Sequence, residues 1–334
     1  ASFPVVFFLT LLAMVVGGNK FLKDWGFETV IFSLLIGLFI SNIFSIPKWL
    51  KEALSSELFV KIGLVLLGTT VLFDDLLKAG ALGLIQSCVV VFTVWNFCFW
   101  LCRKMKIDKE MSLMLSSAVS ICGVSAAVAT AGAIKGDKTK LSYVVSLVLV
   151  VAVPMILIMP GLAKLMGLPE DMAGAWIGGT IDTTGAVAAT GAIYGEVALQ
   201  TSTIVKFSQN VLLGVAAFLI SIYWSYSKKE VTEEKPTLKV IWLRFPKFVL
   251  GFVAASLVFS FCVAPEVVSD AKPILKNIQG MWFALAFMSI GLETDFKSLI
   301  TSENRRSTYA FLGAQAFNVV FTLLVAWILF GLIA

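Results

Sequence analysis

The chain consists of long apolar blocks separated by short polar segments, and this feature restricts its fold more than any other. A block of about 20 apolar residues is long enough to cross ~30 Å of hydrocarbon. Because backbone groups in lipid must form their hydrogen bonds internally, such blocks form either helices or a closed barrel. The blocks do not alternate polar and apolar residues as barrel strands do. The sequence therefore predicts an all-α membrane protein.

The blocks predict about 11 transmembrane helices in a single transmembrane domain that covers residues 1–334. The predicted segments are 4–18, 28–45, 58–77, 81–102, 111–134, 141–166, 171–194, 198–226, 245–264, 277–296 and 307–333. The segment 4–18 is interpreted as a membrane helix rather than a removable signal peptide, because no small-residue cleavage pattern follows it. The long hydrophilic connection is residues 228–247.

Basic residues are distributed unevenly between alternate loops. One set of loops holds 17 Lys and Arg residues and the other set holds 8. Because basic loops stay in the cytoplasm, this asymmetry predicts a cytoplasmic N-terminus and a cytoplasmic 228–247 connection. The net charge of +5 belongs to these loops, so we interpret the lipid bilayer, and not nucleic acid, as the partner of the chain.

The composition argues against an enzyme and against a metal site. The chain has no histidine, and its five cysteines lie within or at the ends of apolar blocks without metal-ligand spacing. No pair of carboxylates is expected at mid-membrane, and no Gly-rich phosphate-binding loop is present. We therefore expect no cofactor other than a coupling ion, Na+ or H+, and no catalytic residues.

Two stretches of the sequence resemble each other. AVATAGAIKG (residues 127–136) and AVAATGAIYG (residues 186–195) match at seven of ten positions. A weaker match pairs Gly68, Phe73 and Leu76 with Gly291, Phe296 and Leu299. Internal repeats are typical of secondary transporters, although small residues also recur wherever helices pack closely. The predicted topology makes segments five and seven parallel, which conflicts with an inverted repeat, whereas segments three and ten are antiparallel.

The fifth segment contains a stretch of small and hydroxyl residues around Cys122 and Gly123. A glycine between Ser120 and Ser125 is a place where a helix can break inside the membrane, and a break exposes backbone N–H groups at a positive helix end. Hydroxyls and free N–H groups can replace the water shell of an oxyanion. The alternative is an unbroken helix that packs tightly through its small residues.

The seventh segment carries an acid that is expensive at membrane depth. Asp182 lies among Thr180, Thr183 and Thr184, between glycines that favour a second interruption. The carboxylate could bind a cation, carry a proton or form an ion pair with Lys206, and a purely static ion pair is also left open. A low-ranked further candidate for ion coupling is Glu293, near the end of the tenth segment.

The eighth segment carries the single base inside the membrane. Lys206, Gln209 and Asn210 are spaced i, i+3 and i+4, so they share one helix face. An ammonium and two amides suit a small anionic substrate or an ion pair, although Lys206 could also extend towards the interface. The second discontinuous helix is placed either at 176–187 or near 289–291, and inverted-repeat geometry favours the second location.

These stretches carry a family resemblance. The order CGVSAA, WIGGTID, VKFSQN, FPKFVLGF and IGLETDF resembles the YeiH family of bacterial membrane transporters, whose members are named as sulfate exporters. The family is distantly similar to the bile-acid–sodium symporter and sodium–proton antiporter folds. The resemblance implies an inverted-repeat bundle with discontinuous crossing helices in the bacterial cytoplasmic (inner) membrane. Many members have a His followed by an acid at Asp182-Thr183 and an Arg at Gln209.

The sequence thus predicts a secondary transporter for a small anion, either sulfate-like or organic, coupled to a proton or sodium gradient. Asp182 would be the coupling group, and Lys206 with the Cys122–Ser125 turn would hold the anion. The alternative is a cation–proton antiporter that uses Asp182 and Lys206 as a pair. A homodimer is left open.

Overall fold

The computed structural model describes residues 3–17, 29–44, 46–51, 54–71, 73–227, 247–293 and 305–333, and all regular elements in these ranges are helices. The helices are α1 (Phe3–Gly17), α2 (Thr29–Ile43), a single turn at Lys48–Lys51, α3 (Ser56–Gly68), α4 (Phe73–Lys104), α5 (Lys109–Ser117), α6 (Val124–Ile134), α7 (Lys138–Leu165), α8 (Glu170–Thr180), α9 (Thr184–Tyr194), α10 (Glu196–Ser227), α11 (Phe248–Leu257), α12 (Pro265–Glu293) and α13 (Arg305–Ala326). Wider π-helical turns extend α5 over Ala118–Cys122, α11 over Val258–Cys262 and α13 over Trp327–Ile333.

Four helical stretches in the described residues are long and apolar enough to cross a membrane: Leu76–Lys104, Lys138–Leu165, Glu196–Trp224 and Arg305–Ile333. In three of them, 33–39% of the most apolar 18-residue window is buried, but in Glu196–Trp224 the share is 61%. The helix α10 is therefore the central one of these four. The prediction of an all-α, multi-pass membrane protein is confirmed.

Close approach of backbones fixes α8 and α9 against α10. A Cβ on Gly178 would lie 2.4 Å from the carbonyl oxygen of Ser202, and a Cβ on Gly174 would lie 2.7 Å from that of Ala198. A Cβ on Gly191, in α9, would lie 2.5 Å from the Ser202 hydroxyl. Only glycine allows these separations, so the small residues of this region are explained by helix packing.

The helices α5 and α6 form a re-entrant hairpin, which we call hairpin 1 (residues 109–134). The ammonium of Lys140, which follows hairpin 1, lies 2.7 Å from the carboxylate of Asp108, which precedes it, and 3.3 Å from that of Glu110. Near the same end, Leu113 and Ile134 pack in one apolar cluster. The chain therefore enters and leaves hairpin 1 at the same end of the bundle.

The helices α8 and α9 form a second re-entrant hairpin, hairpin 2 (residues 170–194). The Tyr194 hydroxyl, at its last residue, donates to the carbonyl of Leu168, just before its first residue. The Glu170 carboxylate accepts hydrogen bonds from the N–H groups of Val197 (2.9 Å) and Ala198 (3.3 Å). Both ends of hairpin 2 therefore also lie together.

The two hairpins enter the bundle from opposite ends. Hairpin 1 ends where α7 begins, and hairpin 2 begins where α7 ends; a helix of 28 residues is about 42 Å long. The first arm of hairpin 1 contains 9 α-helical and 5 π-helical residues, and the arms α6, α8 and α9 contain 11 residues each. The four arms are therefore about 16–21 Å long. Each arm is thus about half as long as α7, and the two tips meet inside the helix bundle.

The predicted segments five and seven are not continuous helices in the structure. Both segments were long enough to span a membrane, but each folds back at an interruption in its middle. The expected break at Cys122–Gly123 is confirmed, and the second lies at residues 181–183. The favoured location near 289–291 is wrong, because α12 is continuous through Glu293. The 228–247 connection, apart from Lys247, and the repeat positions Phe296 and Leu299 lie outside the described residues.

Candidate functional site

The tip of hairpin 1 is a sharp turn at Gly123. This residue has φ +57° and ψ −112°, a conformation that residues with a side chain rarely adopt. A Cβ here would lie 2.7 Å from Cγ1 of Val148, and 3.3 Å from both Asp182 Cβ and Thr183 Cγ2. The last two atoms belong to the tip of hairpin 2. Gly123 therefore provides both the turn and the contact between the tips.

The tip of hairpin 2 is a short extended link between α8 and α9. Ile181 and Thr183 have extended backbones, with ψ 133° and 140°. The Thr183 hydroxyl accepts a hydrogen bond from the Ala186 N–H at 3.3 Å and so caps α9. By contrast, no side chain caps the start of α6 at Val124. Each hairpin thus places a helix C-terminus and a helix N-terminus at its tip.

The ammonium of Lys206 reaches the helix C-terminus that precedes each interruption. It donates to the Ile121 carbonyl (2.6 Å), the Ile181 carbonyl (2.8 Å) and Oε1 of Gln209 (2.9 Å). An ammonium has three hydrogen atoms to donate, so all three are used. Lys206 is 1% exposed, and it is fixed by helix-end oxygens. It does not extend towards an interface.

Amide side chains donate to three further carbonyls at the two tips. Gln209 donates to the Gly179 carbonyl (3.0 Å), and Gln315 donates to that of Thr180 (3.0 Å). Asn318 donates to the carbonyls of Val119 (3.2 Å) and Thr180 (3.1 Å) and therefore joins the two tips. A buried carbonyl without a donor is costly, so these amides explain how both helices can stop inside the protein.

Asp182 is buried at the point where the tips meet. It is 2% exposed, and among the described residues neither of its carboxylate oxygens has a hydrogen-bond partner. The expected hydrogen-bonded pair with Lys206 is thus not formed, because the lysine donates to carbonyls and to Gln209 instead. A buried carboxylate without partners is unfavourable as a bare anion. The position therefore favours a carboxyl group that holds a proton or a cation.

A cavity of about 820 Å³ lies against both tips. Its inner wall contains Cys122, Val124 and Ser125 from hairpin 1, and Thr183, Thr184 and Gly185 from hairpin 2. These are the residues at which α6 and α9 begin, so two helix N-termini face the same cavity. The charged residues on its lining are Glu57, Lys61, Lys247 and Glu293.

The structure divides the predicted site residues into two groups. Those that line the cavity are Cys122, Ser125, Thr183, Thr184, Asn210 and Glu293. Those that do not line it are Ser120, Gly123, Thr180, Asp182, Lys206 and Gln209. Ser120 donates to the Ser116 carbonyl of its own helix (2.7 Å), and Glu293 accepts from Ser56 (2.8 Å). The ammonium predicted to hold an anion is therefore outside the cavity.

Three buried amides besides Gln209 and Asn210 were not among the predicted site residues. Gln86, Gln315 and Asn318 lie inside apolar segments, and each is at most 4% exposed. Gln86 donates to the Ala175 carbonyl of hairpin 2 at 2.7 Å. Counting only charged residues inside the segments overlooked these side chains, although an uncharged amide at membrane depth also needs a partner. A search for amides in the segments would have found them.

The fold and this site define the chain as a multi-pass helical membrane protein with two re-entrant hairpins that meet tip to tip. The chain belongs to the family described as Conserved hypothetical protein 698, whose model matches residues 2–310.

Several relatives are UPF0324 membrane proteins. The UPF0324 membrane protein RB9488 of Rhodopirellula baltica is 40% identical over 343 residues, which cover 100% of this chain and 63% of the relative. A relative from Nitratidesulfovibrio vulgaris is 38% identical over 346 residues, 99% of this chain and 59% of the relative. The chain thus spans less than two thirds of the length of these two proteins.

A UPF0324 membrane protein of Bacillus anthracis is 25% identical over 323 residues, which cover 95% of this chain and 92% of the relative. No solved structure is significantly similar to the chain.

Proposed function

We propose that the chain is a secondary transporter that moves a small anion, sulfate-like or organic, and is coupled to a proton or sodium gradient. The observation that carries this proposal is the meeting of the two hairpin tips. At that point two helix N-termini face a cavity, and a buried carboxyl group without partners lies beside them. The broken helices of transporters form substrate and ion sites in this way.

The anion side of the proposed site is the wall of the cavity at the helix N-termini. Free N–H groups and the helix dipole favour negative charge at such an end. The start of α6 has no side-chain cap, and the Ser125 side chain beside it is exposed in the cavity wall. The anion is therefore placed at Val124–Ser125 and Thr183–Thr184, and no longer at Lys206.

Asp182 is the proposed coupling group. Burial without a partner makes a bare charge costly there, so this carboxyl would bind a proton or Na+ and release it when the tips separate or become hydrated. The neighbouring Thr183 lines the cavity, so a change at Asp182 would reach the anion side through the adjacent residue of the chain.

The hairpins also suggest an inverted repeat and an orientation. Their returning arms carry the matching sequences, and they enter from opposite ends, which removes the conflict with an inverted repeat. If both ends of hairpin 1 lie on one side of the membrane, Lys135, Lys138 and Lys140 belong to the set of loops with more basic residues. Lys164 then belongs to the set with fewer. The stronger asymmetry supports a cytoplasmic N-terminus and a cavity that opens to the cytoplasm near Lys61 and Lys247.

A cation–proton antiporter is the second candidate. It is favoured by one observation, the buried carboxyl of Asp182 without hydrogen-bond partners. That reading assigns no role to the two helix N-termini in the cavity wall, so we rank it below anion transport.

Transport in proteoliposomes tests the proposal. A panel of radiolabelled anions is offered to the purified protein under an imposed proton or sodium gradient, with Asp182→Asn and a matched control, Asp270→Asn, whose side chain is exposed. We expect one gradient to drive anion accumulation in the native protein and in the control, whereas Asp182→Asn binds the anion without accumulating it. Full accumulation in Asp182→Asn would refute the coupling role. Cation exchange without anion movement would favour the antiporter.

A further inference from the structure

The surroundings of the Lys206 ammonium have the composition of a cation site. Its three partners are oxygens at 2.6, 2.8 and 2.9 Å. Two of these are backbone carbonyls at the ends of different hairpin arms, Ile121 and Ile181, and the third is the amide oxygen of Gln209. Carbonyl and amide oxygens are the ligands that hard cations use in proteins.

The negative charge that balances this ammonium comes from helix ends. The C-terminal end of a helix carries about half a negative charge and leaves carbonyls without intrahelical partners. Two such ends meet at Lys206. Among the described residues, no hydrogen bond joins Lys206 to the nearby Asp182. The site would therefore keep its preference for a positive charge if the lysine side chain were removed.

We infer that the Lys206 ammonium is a tethered occupant of a cation-binding site formed by the carbonyls of the two hairpin tips. Removing the side chain exposes this site to a free monovalent cation, either Na+ or a small primary alkylammonium. In the native protein the position is filled from within, so the tips are held together without a free metal ion. The inference uses the same tips as the proposed function, but it does not depend on what the protein transports.

The alternative is that Lys206 acts only as a hydrogen-bond donor or as a space-filling side chain. Lys206→Gln retains N–H donors but not the charge, and Lys206→Met fills most of the space with neither. Lys206→Ala removes three carbons and the nitrogen, which are the heavy atoms of n-propylammonium. Comparison of the three variants therefore separates charge, hydrogen bonding and volume.

The experiment measures thermal unfolding of the detergent-solubilised protein while n-propylammonium chloride is titrated. Tetramethylammonium chloride, which has no N–H group, controls for ionic strength, and NaCl is titrated separately against choline chloride. Lys276→Ala, in α12, is the matched control, because that lysine is exposed and pairs with Glu196 outside the cavity lining.

We expect Lys206→Ala to have a lower Tm than the native protein and to regain part of it saturably with n-propylammonium or Na+. A ligand at about 100 times its Kd favours the folded state about 100-fold. Lys206→Met, Lys276→Ala and the native protein should show no such saturable rise. The absence of a rise in Lys206→Ala, or an equal rise in Lys206→Met, would overturn the inference.

If Lys206→Ala does not fold, Lys206→Gln decides the question. We expect its Tm to lie below that of the native protein, because the charge is missing; an unchanged Tm would show that hydrogen bonding alone suffices and would overturn the inference. The measurement needs no substrate and no gradient. If n-propylammonium raises the Tm of Lys206→Ala but no anion is transported, only the transport proposal is rejected. If an anion is transported but n-propylammonium does not raise this Tm, only the present inference is rejected.

Discussion

Replacing Gly123 by alanine tests whether the tip of hairpin 1 requires a residue without a side chain. The added Cβ would lie 2.7 Å from Val148 Cγ1, which is closer than carbon atoms normally approach, and 3.3 Å from two atoms of hairpin 2. The residue would also keep φ +57°, which is strained for alanine. Both effects act against the contact between the two tips.

The expected cost follows from these two effects. A non-glycine residue in a sparsely populated backbone conformation costs of order 1–3 kcal/mol. Inserting a methyl group into a packed interior costs typically 1–3 kcal/mol. Together they amount to about 2–6 kcal/mol. At about 2–4 °C per kcal/mol for chains of 150–250 residues, the Tm of Gly123→Ala should fall by several degrees.

Thermal unfolding in detergent checks this value against a matched control. Gly167 also has a positive φ, +64°, but no atom lies within 4 Å of a Cβ built there. Gly167→Ala therefore reports backbone strain without the steric contact. We expect the Tm of Gly123→Ala to fall further than that of Gly167→Ala.

A double-mutant cycle with Val148→Ala isolates the steric part. Because Val148→Ala removes the atom at 2.7 Å, the double variant should be more stable than the sum of the single losses predicts. Equal Tm values for Gly123→Ala and Gly167→Ala, together with additivity in the cycle, would show that the tip is not packed as described.

Two further predictions concern the ends of hairpin 1 and the start of the following helix, α7. In a background that lacks the native cysteines, single cysteines at Lys106 and Lys138 should react with an impermeant thiol reagent from the same side of the membrane, because both ends of the hairpin lie together; labelling from opposite sides would restore the crossing helix. The second prediction concerns Asp137, which caps the N-terminus of α7 and whose pKa is held below its usual 3.8 by the backbone N–H groups of Lys140 and Thr139. A lowered pKa contributes stability above pH ~4 that is lost as the pH falls through the folded-state value, so the Tm advantage of the native protein over Asp137→Asn should shrink between pH 6 and pH 3, and a constant difference would argue against this cap.

The interruptions could be predicted from the sequence because they depend on local chemistry. Gly123 lies among small and hydroxyl residues, and no neighbouring side chain blocks the turn. Asp182 follows two glycines and is too polar for an undisturbed helix in lipid. Such signals need no knowledge of the rest of the chain.

The direction of the chain after each interruption could not be predicted in this way. A stretch of 24 apolar residues can cross a bilayer or reach its middle twice, and hydropathy is the same in both cases. The decisive contacts join residues outside the stretch, such as Lys140 with Asp108. The matching sequences of the two returning arms did contain the information, because they conflict with a topology in which segments five and seven both cross the membrane.

The hydrogen-bond partners of Lys206 could not be predicted from the sequence either. An acid and a base in consecutive segments suggested an ion pair. The carbonyls at helix ends compete with the carboxylate of Asp182 for the Lys206 ammonium, because each interruption leaves carbonyls that need hydrogen-bond donors. Once the two C-terminal ends lie beside α10, Lys206 can satisfy two carbonyls and Gln209 at once, which one carboxylate could not offer.

The hydrogen bonds at the tips impose an order on the biogenesis of the protein. The Val119 carbonyl accepts from Asn318, which is 199 residues later in the chain. At about 5–20 residues per second, the ribosome needs roughly 10–40 s to bridge that distance. During this interval the Val119 carbonyl at the tip of hairpin 1 still lacks the amide donor of Asn318. The contacts of Asn318 with the two tips can form only after α13 has been synthesised, which makes the completion of the proposed site one of the last steps of assembly.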